Sequence, residues 1–397
     1  MPGATGSLCA RARTRLPVVA AQLRGWAVAE EDCPDIVHSA NAGYERWLGA
    51  HLHLVRKDLE RKHAAMAEGA FEFLRATFFR WAQRWPVVCA EAAAAPKVLA
   101  VGDLHVDNFG TWRDSEGRLV WGVNDFDEAW PLPYSNDLVR VATSALLAAE
   151  ERQLSLDEKQ VCEALLEGYR AALEGGGRPF VLAEHQGALR AMAVERLKNP
   201  ERFWEKLERM PPIRGVVPAG ARKALQRMLP EPGLEVRYVH RIAGLGSLGR
   251  QRVVAIADWH GGKVAREAKA AAPSACAWAA GIPASDADVH YQRVTDAAVR
   301  CPDPFLRLKR RWIVRRLAPD CARIELPTFP GERDEMRIVS AMGWETANVH
   351  LGTAAAKTLR ADLKARDAGW LGHAARRMAE VVEEDFEAWQ AHRAGRG

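Results

Sequence analysis

Val101-Gly102-Asp103-Leu104-His105-Val106-Asp107-Asn108-Phe109-Gly110, followed after a short interval by Val123-Asn124-Asp125-Phe126-Asp127-Glu128, is the stretch from which the fold is read. An apolar run, Val98 to Val101, leads into the first string, and a second, Leu119 to Val123, leads into the other. Between them Asp114-Ser115-Glu116-Gly117 has turn composition, because Asp and Ser side chains bond nearby backbone and Gly tolerates positive φ. Two short strands are therefore expected to pair, each ending in carboxylates. Four Asp, two Asn, one Glu and one His then crowd one end of a small sheet. Like charges repel and resist desolvation, so folding alone does not reward this arrangement. A divalent cation or a catalytic proton would account for it. The plainer alternative is an ordinary hairpin with acidic turn residues; against it stand the joint order and spacing of three separate groups.

The spacing narrows the chemistry. Asp103-x-x-x-x-Asn108 has the Asp-to-Asn separation of a kinase catalytic loop, where the Asp accepts the proton of the attacking hydroxyl and the Asn binds magnesium. Asp125-Phe126-Asp127 stands where the metal-binding Asp-Phe-Gly would follow. The form Gly-Asp-Leu-His-x-x-Asn most resembles the small-molecule branch of the kinase-like fold, the aminoglycoside and choline phosphotransferases. That branch has His-Gly-Asp-x-His-x-x-Asn and then Ile-Asp-Phe. Val101 stands where the branch has its first His, and Asp127 stands where kinases have Gly, which adds a carboxylate.

The chain has 397 residues, enough for two or three packed units. Hydrophobic residues make up 48% and charged residues 27%, in the range of globular proteins. The net charge of +5 is spread along the chain, with no block that would mark a nucleic-acid surface. Seven widely spaced cysteines without Cys-x-x-Cys point to neither a zinc site nor a disulfide framework, and so to a reducing cytoplasm. No apolar run reaches the roughly 18 residues of a membrane span. Residues 1–40 read as a loose leader: Arg11, Arg13 and Arg15 precede a short apolar run broken by Pro17, which is too short for an export signal.

Residues 42–84 read as helical, with Met66, Ala70, Phe73, Leu74, Phe78 and Trp81 on one face. Arg61, Lys62 and Arg75 in this segment read first as solvated helix charges. Asn136-Asp137-Leu138-Val139 opens a helix to about Gln153, with Asp137 as a first-turn acid. Ser155-Leu156-Asp157-Glu158 has the form of a capping box before a helix to about Leu173. Residues 186–209 are expected to be helical, and Pro211 to Gly233 marks a boundary. Residues 286–301 and the last 60 residues are expected to be helical; His350, on an apolar stripe with Trp344 and Ala347, reads as a satisfied core histidine before a ligand.

The second constellation starts near residue 235. Strands over Glu235–Ala243, Gln251–Ala257 and Lys263–Lys269 enclose the turn Gly244-Leu245-Gly246-Ser247-Leu248-Gly249. That is the plan of a kinase small lobe, where the loop covers nucleotide phosphates and a Lys on the third strand pairs with them. Gly-x-Gly-x-x-Gly alone is a weak signal, equally at home in a plain hairpin. Arg266 and Lys269, on opposite faces of the third strand, are the candidate phosphate-pairing cations, with Arg266 slightly preferred on position. A further strand, Trp312 to Leu317, ends at Ala318-Pro319-Asp320, a candidate hinge.

With both constellations in hand, the chain resembles the domain-of-unknown-function family 2252, placed among kinase-like folds. The strings that carry the resemblance are Phe73-Leu74-Arg75, Gly102 to His105 with Asn108-Phe109-Gly110, Asn124 to Ala129, Asp137-Leu138, Gly244 to Gly249, and Arg266-Glu267-Ala268 with Pro273-Ser274. The family usually has Lys where this chain has Arg266, and the two are not equivalent. The expected fold is α+β and kinase-like: a helical lobe over 41–230 holding the catalytic hairpin 98–130, a small antiparallel lobe over 235–327, and C-terminal helices over 335–397 packing on the helical lobe. The glycine turn follows the catalytic loop, the reverse of the kinase order, so either the kinase-like fold is permuted or the glycine loop does something else.

The expected function is a magnesium- and ATP-dependent phosphotransferase acting on a small hydroxylated acceptor. Asp103 would be the base, Asn108, Asp125 and Asp127 the metal ligands, and Gly244, Gly246, Ser247, Gly249, Arg266 and Lys269 the nucleotide contacts. His105, Asp137 and Arg75 would support them; the resemblance implies that Asp137 braces the catalytic loop. Two alternatives stay open: a nucleotidyltransferase or nucleotide-binding pseudokinase of the same fold, and a metal-dependent phosphoester hydrolase. Neither nucleic acid nor a membrane is expected as a partner, and the sequence leaves the oligomeric state open.

Overall fold

In a computed structural model of the chain, residues 36–151, 154–185, 187–195, 197, 199–321 and 332–395 are described. Nearly all of the expected leader and the end of the expected small lobe, residues 322–327, lie outside them. The fold is mixed, helices outweighing strands, and the strands form three small antiparallel sheets.

The segment read as one helix over 42–84 is four: α1 (Ile36–His51), α2 (Arg56–Ala65), α3 (Ala70–Ala76) and α4 (Phe78–Val88). Residues 52–55, Gly69 and Thr77 interrupt it, with non-helical backbone at each. The periodic face nevertheless forms core: Met66, Phe73, Leu74, Phe78 and Trp81 are all buried. Arg61 is largely exposed as expected. Lys62 is not: it is buried beside the Tyr44 and Phe79 rings, and burial pushes its ammonium down to about 8. Arg75 is not a solvated charge either, as its contacts below show.

The strand pairing departs from the expected hairpin. The strand that leads to Asp103, β1 (Lys97–Ala100), does not pair with the strand that leads to Asp125. The turn at Asp114–Gly117 closes β2 (Phe109–Arg113) on β3 (Leu119–Val123), the nearest extended segments on either side of it. β1 pairs instead with β4 (Trp130–Pro133), just past the second acidic string. The two strings meet because both sheets turn their ends to one place: Asn124 N–H donates to Asn108 O at 3.0 Å.

Helix α5 (Ser135–Glu150) follows, almost wholly buried. The cap of α6 (Glu158–Gly175) is Asp157, boxed with Gln160; Ser155 is drawn off to the Glu335 carboxylate. The two-residue β5 (Phe180–Val181) completes the sheet of β2 and β3. The expected helix over 186–209 is interrupted, and its last part, α7 (Pro200–Glu208), starts at an Asn199 cap with Pro200 behind it. Inside the proline-marked boundary a further helix forms, α8 (Ala219–Gln226).

The five-stranded sheet has the order β6-β7-β8-β10-β9, with β6 (Arg237–His240), β7 (Arg252–Trp259), β8 (Gly262–Ala270), β9 (Arg307–Lys309) and β10 (Trp312–Leu317). Between β8 and β9 lie α9 (Ala275–Ala279) and the helix Tyr291–Ala297, shorter than the expected 286–301. Alternation sets the two faces of this sheet. Ala268, Val253, Ala255 and Val314 pack on α8, while Val239, Val254, Ile256, Ala265 and Leu317 pack on Leu207 of α7. Glu267 and Lys269 share the second face with Ala265 but lie nearer the glycine turn. In register, Lys269 faces Arg252 and Ile313, and Glu267 faces Val254 and Arg315.

The chain ends in α10 (Glu332–Leu351), α11 (Ala356–Ala365) and α12 (Trp370–Ala394), and the main core runs from α1 to α12. The buried pair Arg80–Asp385, at 2.8 Å, ties α4 to α12. Among the described residues no helix is long and apolar enough to cross a membrane, and the five described cysteines carry no disulfide.

Candidate functional site

The loop from β1 into β2 is held from behind. Val101 N–H donates to Asp137 Oδ2 at 2.7 Å and Gly102 N–H to Asp137 Oδ1 at 3.0 Å. Gly102 has φ +82°, and a side chain there would strike the backbone oxygen of Glu128, so only glycine lets the two acidic strings approach. Asp137 also accepts from Asn136 Nδ2 at 3.0 Å and pairs with His350 Nε2 at 3.0 Å; the other ring nitrogen of His350 lies 2.9 Å from the Tyr169 hydroxyl. His350 is thus a satisfied core histidine, as read, and Asp137 is the brace.

Asp103 sits at the front of that loop. Both bonds from Arg140 go to its Oδ1, one of them at 2.8 Å from Nε. Arg140 is buried, stacks on Trp81 at 4.7 Å and spends a further N–H on Leu74 O. Burial pushes the Asp103 carboxyl up to about 7 although Arg140 opposes the shift. The other oxygen, Oδ2, faces the glycine turn: a Cβ added to Gly246 would lie 3.4 Å from it and 2.9 Å from Arg75 O.

Asn108 donates its side-chain N–H to the Asp103 carbonyl, closing a tight turn in which Asp107 N–H bonds His105 Nδ1. Asp107 is in turn paired with Arg75 at 3.1 Å, and Arg75 lies over the Phe71 ring. On the second string, Asp127 Oδ2 receives Lys269 Nζ at 2.6 Å and Arg250 Nη1 at 3.3 Å. Lys269 also stands 3.5 Å from Asp125 Oδ1. Asp127 Oδ1 is buried with no hydrogen-bond partner among the described residues. Glu128 takes the second Arg250 nitrogen at 3.0 Å and the Ala275 N–H at the start of α9 at 2.6 Å. Burial raises its carboxyl above the usual range. Behind Asn124, Val123 N–H donates to Glu345, whose carboxyl burial pushes up to about 7.

These groups line one partly open cavity of about 30 Å³, bordered by Arg75, Asp103, His105, Asn108, Asp125, Asp127, Gly244, Gly246 and Ser247, with Glu128 and Arg250. Lys269 meets Asp125 and Asp127 of this wall without lining the cavity, and three expected residues lie elsewhere. Gly249 is at the back of its turn, φ +95°, where a side chain would strike Leu59. Asp137 is behind the loop. Arg266, the preferred cation, is turned away: it donates to Met228 O at 2.8 Å and stacks on Phe305 at 4.3 Å. Strand alternation decides this, because Lys269 shares the site-facing side of β8 with Glu267 and Arg266 does not. Arg140, Arg250 and Glu128 were missed as site residues. Arg140 had a signal, since three residues after Asp137 it shares that helix face.

The glycine turn is itself backed by the segment before α2. Leu54 bridges Arg250, Val55 N–H donates to Gly249 O at 2.7 Å, and Asp58 pairs with His240 at 2.7 Å. On the other side of the site Asp320, in the expected hinge, pairs with Arg113 and accepts from Thr111 Oγ1, tying β10 to β2.

No curated protein and no solved structure matches the chain. A family described as "Uncharacterized protein conserved in bacteria (DUF2252)" matches residues 54–203 and 235–392, which span both the loop of Asp103 and the glycine turn. On that match, over most of its length, the chain belongs to the DUF2252 family.

Proposed function

We propose that the protein is a magnesium- and ATP-dependent phosphotransferase with a kinase-like fold in permuted chain order, acting on a hydroxyl of a small-molecule acceptor. The observation that carries this reading is the meeting of three separate stretches at one cavity. Asp103 Oδ2 faces Gly246 of the glycine turn, and Lys269 from the third strand reaches Asp127 and Asp125.

Each group has a role its surroundings favour. Asp103, near 7, is suited to accept the proton of an acceptor hydroxyl at Oδ2, while Arg140 fixes Oδ1. The turn Gly244–Gly249 supplies close backbone approach for phosphate oxygens, and Lys269 a cation at their side. The donor set fits magnesium, which takes one or two carboxylates and leaves its other positions to water and phosphate. Asp125 and Asn108 Oδ1 would hold it, and the unpartnered Asp127 Oδ1 offers a further oxygen. The chemistry such an ion would supply there is positive charge against that of the donor phosphates. Catalysis would then rest on positioning and preorganised charge.

The test is transfer from γ-labelled ATP, with magnesium, to a panel of hydroxylated small molecules. Asp103→Asn should keep ATP binding and lose about 10²- to 10⁴-fold in transfer. Undiminished transfer by that variant, or a wild type that neither binds ATP nor releases its γ-phosphate, would overturn the reading. Label retained from the α position would mark nucleotidyl transfer instead.

A further inference from the structure

Asp125 and Gly244 are shared between this cavity and a larger neighbouring cleft of about 260 Å³. Five arginines line it: Arg241, Arg252, Arg300, Arg315 and Arg316. Their internal counter-ion is Glu267, which accepts from Arg252 at 2.8 Å, from Arg315 at 2.9 Å and from Arg241. One carboxylate therefore answers three guanidiniums. At the cleft margin Asp125 faces Lys269, and Asp303, which accepts from Phe305 N–H at 2.8 Å, also lies in the field of Arg316, Arg300 and Arg315, while the buried Glu345 acts on Arg300.

Arg300 and Arg316 have less. Arg300 lies over the Trp112 and Phe126 rings at 4.5 and 5.0 Å, and its Nη1 is buried without a hydrogen-bond partner among the described residues. Arg316 lies over Phe305 at 5.0 Å, and its Nε and Nη2 are buried in the same condition. A buried donor left unmade is costly, more so when charged, and a guanidinium cannot shed its proton to escape. Stacking holds both forks in place before any ligand arrives. Planar forks match the oxygens of a phosphate chain in pairs.

We propose that this cleft recognises a tri- or polyphosphate chain and is indifferent to what the chain carries, so that ATP, GTP and inorganic tripolyphosphate bind alike. That this chain is the phosphoryl donor rests on the phosphotransferase reading; the binding itself does not. The neutral polar side chains in the wall are Thr111, Asn124 and Cys321, and Thr111 already donates to Asp320 O. The recognition chemistry on offer is charge along a chain.

The experiment is calorimetric titration of the full chain, in chelator, with ATP, GTP, inorganic tripolyphosphate and adenosine. The three phosphate compounds should bind within about threefold of one another and weaken together with salt, and adenosine should show no binding. Arg300→Gln and Arg316→Gln should each weaken ATP and tripolyphosphate by the same factor, about tenfold or more. ATP binding more than about tenfold tighter than both GTP and tripolyphosphate, binding of adenosine, or binding of none of the four would overturn the proposal. The wild-type series decides even if a variant does not fold. A chain that binds tripolyphosphate but transfers no phosphate keeps this cleft and loses the phosphotransferase reading. One that transfers phosphate and discriminates for ATP does the reverse.

Discussion

Asp137→Asn removes one charge and changes almost no volume, yet it should be among the costliest single substitutions in the chain. Asp137 is fully buried and its two oxygens serve four donors: Val101 N–H and His350 Nε2 on Oδ2, Gly102 N–H and Asn136 Nδ2 on Oδ1. An asparagine amide has one oxygen. Whichever way it turns, its NH₂ faces two of those donors. Hydrogen bonds to a charged group are worth about 1.5–3 kcal/mol each, so the loss is about 3–6 kcal/mol. Domain stabilities are about 5–15 kcal/mol, so the variant should be marginal. Urea unfolding measures this directly: the midpoint should fall with the slope unchanged. Tyr169→Phe cuts only the far link of the same chain and should cost about 1 kcal/mol. Because both act through His350, the double variant should lose less than the sum. A loss below about 1 kcal/mol for Asp137→Asn would refute the argument, since it would mean that the loop needs no anion behind it.

Gly246→Ala places a methyl carbon 2.9 Å from the Arg75 carbonyl and 3.4 Å from Asp103 Oδ2, so it should depress ligand binding more than melting temperature; equal loss of both would count against a site at this turn. Lys269→Met removes the cation from Asp125 and leaves Asp127 paired with Arg250, and should cost about 3–5 kcal/mol in unfolding free energy; adding Asp127→Asn should recover part of it. With Asp103 pushed up to about 7 by burial, transfer should fall about tenfold per pH unit below that value and level off above it, as a pH–rate profile will tell. The stability sign is opposite: a raised carboxyl favours folding fully below about pH 4 and loses that contribution as pH rises through about 7.

What the sequence makes legible is local. Asp103 and Asn108 lie within one turn of each other, and the glycines of 244–249 answer backbone demands that only glycine meets, so both strings could be recognised before any fold was known. The faces of α3 and α4 were legible for the same reason, although the helix was broken where Gly69 and Thr77 intervene. Choices that depend on partners far along the chain were not legible. Arg266 and Lys269 look alike as cations on one strand, and only the placement of Asp127 and Met228 on opposite sides of β8 separates them. β1 gave no sign that it would pair with β4, because hairpin signals belong to the turn, and the turn belongs to β2 and β3. Burial of Lys62 was hidden as well, since it depends on the Tyr44 and Phe79 rings brought in from neighbouring helices.

The backing of the glycine turn by Leu54, Val55 and Leu59 bears on how anything enters. A turn free on its outer side can lift like a flap. This one is bonded to Val55 at the start of α2, and α2 is itself tied to β6 through Asp58 and His240, so it is a shelf, and lifting it means carrying a helix along. The Val55 amide proton, hidden under Gly249 O, becomes the gauge: its exchange with solvent counts how often the shelf leaves its bracket, and a ligand that seats there should slow it.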